Sequence, residues 1–199
     1  MQQEFRELQA YGANVALQLQ GGWKGPLAPG QHIPKDGLDA MHMIMSKAAS
    51  LSGNSRDFSL LLKATFAPNN QLGILPYGVP KSKLMGPDDL QAVALPSTGF
   101  HNDWKDTTRG TTSDLDQSHH LTAFVLTGYI YGDSAGALGS FAHKAEQGRL
   151  DNSGDINLGL VGSRYGQRLR ECKNSQQLQE WTDQLCKDLR QPATGVVER

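Results

Sequence analysis

The 199-residue chain sets 19 Lys and Arg against 20 Asp and Glu, a formal net charge of −1, so no broad basic field is present to hold nucleic-acid phosphates. The length fits one domain with a real core, and no apolar run reaches the roughly 20 residues that span a bilayer. Two cysteines are too few for a disulfide framework, and the polar, helix-like start is unlike a signal peptide. The expectation is therefore a soluble protein with reduced thiols, cytoplasmic or exported without a classical signal peptide.

Taken in order, residues 2–20 predict a first helix, with Phe5, Leu8, Val15 and Leu19 at three- and four-residue spacing before Gly21-Gly22. After a Gly/Pro-rich loop, a second helix starts near Asp36 and puts Leu38, Met41, His42, Met45 and Ala49 on one side. The Asp39–His42 pair on it reads as a solvated edge contact. Ser52-Gly53-Asn54 breaks that helix, and Ser55-Arg56-Asp57 opens a third through Phe66. A loop-like stretch covers 68–87, and Pro87-Asp88-Asp89 has the proline-first, acid-rich look of a short helix start. A second irregular stretch covers 97–112.

The helix from Ser113 or Asp114 is expected to reach about Tyr131, with another from Asp133 to about Gly148. The Asp155 helix reaches about Cys172, and Asn174-Ser175 caps a last one carrying Leu178, Trp181, Leu185 and Leu189. Without alternating apolar segments there is no case for a sheet. The expected fold is all-α: a single-domain bundle of about seven or eight helices over 1–191, two long irregular loops, and a flexible tail at 192–199.

Glycine placement singles out two helices. Asp116, His120, Phe124, Gly128 and Gly132 follow at four-residue spacing along one ridge, and Gly136 and Gly139 continue the small spacing. On the later helix, Asp155, Gly159, Gly162 and Gly166 share a face. Each glycine inside a helix costs about 1 kcal/mol relative to alanine. Their accumulation predicts that the two helices meet backbone to backbone.

That contact carries the polar residues with it. Asp116, His119, His120 and Asp155 then converge at one end of the pair. Three uses fit such a set. Asp116, His120 and Asp155 are candidate ligands for a divalent metal that activates water. An Asp–His pair serves as a general base with its orienting acid. A buried structural network that fixes helix register is the third. His101, Asp103 and Trp104, in the second loop, are the candidates for covering a substrate.

Asp116-Gln117-Ser118-His119, followed by Asp155-Ile156-Asn157-Leu158-Gly159-Leu160-Val161-Gly162, resembles an Asp-x-x-His plus Asp/Gly-helix pattern. VanZ-like proteins and helical C-terminal domains of bacterial polymorphic toxins and effectors carry something similar. The resemblance implies that Asp116, His119 and Asp155 belong to one site. It departs in two respects: VanZ-like proteins are membrane-embedded, and the usual asparagine before the glycine is missing. No phosphate-binding loop, dinucleotide fingerprint, His-Glu-x-x-His, Cys-x-x-Cys or Gly-x-Ser-x-Gly motif is present. Two functions from different classes follow as expectations. One is a metal-assisted hydrolase of bacterial effector type acting on a small substrate. The other is a non-catalytic helical module that binds a protein partner and uses the same residues as a structural network.

Overall fold

The computed structural model describes residues 2–22, 25, 27, 32–67, 93–105, 117–134 and 153–194. Among the described residues it forms six α-helices and no strand. These are α1 (Gln2–Leu19), α2 (Gly37–Leu51), α3 (Ser55–Phe66), α4 (Gln117–Tyr131), α5 (Ser153–Leu169) and α6 (Ser175–Asp188), with a single 3-10 turn at Asn102–Trp104. The all-α class agrees with the sequence. The short helix expected from Pro87, most of the one expected from Asp133, and the first loop at 68–87 lie outside the described residues.

Local chemistry sets the helix starts. Asp36 accepts from Asp39 N–H at 2.7 Å to cap α2, and Asn54 accepts from Asp57 N–H at 2.9 Å to cap α3. Asn174 does the same for Gln177 N–H at 3.0 Å on α6, while the Gln177 side chain reaches back to Lys173 N–H at 2.7 Å. Each cap satisfies N–H groups that have no partner inside the helix. Helix α5 starts at Ser153 and ends at Leu169, so Asp155 lies within its first turn rather than opening it, and the helix stops short of Cys172.

One hydrophobic core runs from Phe5 on α1 to Ala193 beyond α6. Phe58, Trp181 and Tyr165 form its aromatic spine, with edge-on ring pairs at 5.7 Å on either side of Trp181. The Trp181 indole donates to Tyr165 C=O at 2.9 Å, and the Tyr165 hydroxyl donates to Asp188 at 2.6 Å. Burial and the Asp188 carboxylate push the Tyr165 phenol well above its ordinary range.

Helix α4 lies deep in the fold, with Leu121, Thr122, Ala123, Phe124, Val125, Leu126 and Gly128 all buried. A helix that is apolar all round has to be covered on every side. Its closest neighbour is α5, and the glycines set that approach. A Cβ on Gly128 would lie 2.6 Å from Ser163 Cα, one on Gly162 2.8 Å from Phe124 Cβ, and one on Gly166 2.6 Å from Tyr129 N. The expected backbone-to-backbone seam is present. Gly132 does not extend it: with φ +92° it is in the left-handed conformation just past α4, the usual way for a helix to end.

Helices α2 and α6 form a second close pair, running antiparallel. Arg190 clamps Asp36 through both guanidinium NH2 groups at 2.9 and 3.0 Å. His42 pairs with Asp183 at 2.7 Å, Gln179 donates to Ser46 at 2.9 Å, and the Ser175 hydroxyl donates to Ser52 C=O at 2.6 Å. The descending partner numbers set the antiparallel register. His42 is therefore engaged across the helix pair rather than with Asp39, which instead meets His32 at 3.1 Å.

Candidate functional site

The α4–α5 seam runs parallel. Gly162 lies against Leu121, Phe124 and Val125, and Gly166 against Val125, Gly128 and Tyr129. Further along, the Gln167 side chain accepts from Asp133 N–H at 2.9 Å. Residue numbers rise together on both helices, so their N-termini lie at the same end of the pair. His119 and His120, in the first turn of α4, are thereby brought to the end where the first turn of α5 carries position 155. Asp116 and the side chain of Asp155 lie outside what the structure describes.

His119 and His120 are both half-buried, with ring centroids 5.9 Å apart and planes tilted by 57°. His119 Nδ1 lies 3.0 Å from Phe66 C=O. A carbonyl only accepts, so Nδ1 carries the proton and Nε2 is left as an acceptor in the neutral ring. Phe66 is the last residue of α3, whose terminal carbonyls have no partner inside the helix. His119 thus ties the end of α3 to the start of α4.

The second loop is docked against the same end. Between Val93 and Lys105 it forms a strap that joins three helices. Thr98 accepts Leu38 N–H at 2.9 Å through its carbonyl and Gly37 N–H at 2.8 Å through its hydroxyl, closing the start of α2. At α5, a Cβ on Gly154 would sit 2.6 Å from Lys105 C, and the Asn157 amide donates to Asp103 C=O at 3.2 Å. Beyond α6, the strap holds the C-terminal segment. His101 N–H donates to Leu189 C=O at 2.9 Å, the Trp104 indole to Gln191 C=O at 2.8 Å, and Ala193 N–H to the Asp103 carboxylate at 2.9 Å. The Trp104 side chain is fully buried in this contact.

Among the described residues, no group of three or more His, Cys, Asp or Glu is placed to hold a metal ion. No described helix is long and apolar enough to cross a membrane. The chain matches no family model, curated protein or solved structure.

The sequence reading did not find Asp183 and Arg190, the two residues that complete the polar ladder between α2 and α6. Arg190 also reaches Gly99 C=O at 3.5 Å, joining that ladder to the strap. Burial works to raise the Asp36 carboxyl, but hydrogen bonds from Arg190 and Asp39 N–H, with the nearby positive charge, outweigh it and hold the group below its ordinary value. The cap signal at Asp36 was visible in the sequence. Its partner lies 154 residues away, and no local pattern announces a pair at that separation.

Proposed function

We propose that this chain is a non-catalytic helical module that engages a protein partner, with its acids and histidines serving to join helices. The observation that carries this reading is where the polar side chains spend their hydrogen bonds. Asp36 bonds Arg190, His42 bonds Asp183, Asp103 bonds Ala193, His119 bonds Phe66 and Asp188 bonds Tyr165. Every one of these contacts links two different elements, which is how a network fixes helix register.

A second reading has its own support. An imidazole whose Nδ1–H is held by a backbone carbonyl, leaving Nε2 as an acceptor, is the arrangement found for metal-ligating histidines. In that reading Asp116, His119, His120 and Asp155 at the shared end of α4 and α5 hold a divalent metal for hydrolysis, in line with the resemblance to VanZ-like proteins and bacterial toxin or effector domains.

Thermal unfolding of chelator-treated protein, alone and with Mg, Ca, Mn or Zn, separates the two. The module reading expects one melting temperature under all five conditions. It also expects His119→Ala to lose about 1 kcal/mol of stability by stripping the Phe66 carbonyl of its donor. A melting rise specific to one ion, abolished in both His120→Ala and Asp155→Asn, overturns it in favour of the metal site.

A further inference from the structure

We draw no further inference here: the strongest candidate, the paired N-termini of α4 and α5 beside the His119 and His120 imidazoles, belongs to the site already described, and nothing else among the described residues points to a ligand there.

Discussion

Replacing Gly128 by alanine tests whether the α4–α5 seam is as close as the structure makes it. In an open helix the change stabilises by about 1 kcal/mol, because alanine restricts the unfolded chain and suits the helix. Here the new methyl carbon would lie 2.6 Å from Ser163 Cα, whereas ordinary contact begins at 3.4 Å. The obstacle is backbone, with the Ser163 carbonyl oxygen closer still, so no side-chain rotation relieves it, and the helices must separate by at least about 1 Å. A gap of that size forfeits roughly a quarter to a half of the dispersion energy of the facing atoms. Overpacking in a well-packed core costs about 1–3 kcal/mol, and a rigid backbone obstacle belongs at the upper end of that range. With the helix gain subtracted, the net loss is about 2 kcal/mol. For a chain of this size that lowers the melting temperature by about 4–8 °C. Circular dichroism melts of wild type, Gly128→Ala and Gly53→Ala make the comparison. A Cβ on Gly53 would meet nothing within 4 Å, and Gly53 has no positive φ, so its variant should melt at or slightly above wild type. A Gly128→Ala protein that melts as high as wild type would refute the close seam.

The remaining predictions concern the strap, the clamp and the thiols. Gly99→Ala should cost at least about 2 kcal/mol in a denaturant titration, because φ is +88° and the Cβ would lie 2.8 Å from Asp36 Oδ2; an unchanged midpoint would contradict this. Asp36 has a folded pKa below its ordinary value of 3.8, so the fold favours the carboxylate. Its contribution is complete above the ordinary value and is lost as pH falls through the lower folded one. The stability gap between wild type and Asp36→Asn should accordingly narrow in acid and stay constant from pH 5 to 7. Burial raises the thiol pKa of both cysteines, and Cys186 is enclosed whereas Cys172 is half-buried. A thiol reagent at neutral pH should label folded protein slowly at Cys172 and leave Cys186 untouched until denaturant is added.

Among the described residues, the sequence by itself determined which stretches are helical and where several of them start. Asp36 and Asn174 are short polar side chains placed before apolar periodicity, and capping is a contact between residues three apart; Asn54 reads in the sequence only as part of the break before α3, and the structure makes it that helix's cap. The glycine seam was equally legible, because repeated glycine inside helices is costly unless another backbone approaches. Tertiary structure decided what those helices join. It made α4 and α5 parallel, turned Gly132 into a helix end, and sent His42 to Asp183 rather than to Asp39. It also docked residues 93–105, part of a stretch that reads only as irregular, as a strap with Trp104 buried beneath it. Periodicity records which face of a helix is apolar, but not the partner that covers it. Pairs such as Asp36 and Arg190 form only when the whole chain has closed, since neither residue carries a local trace of the other.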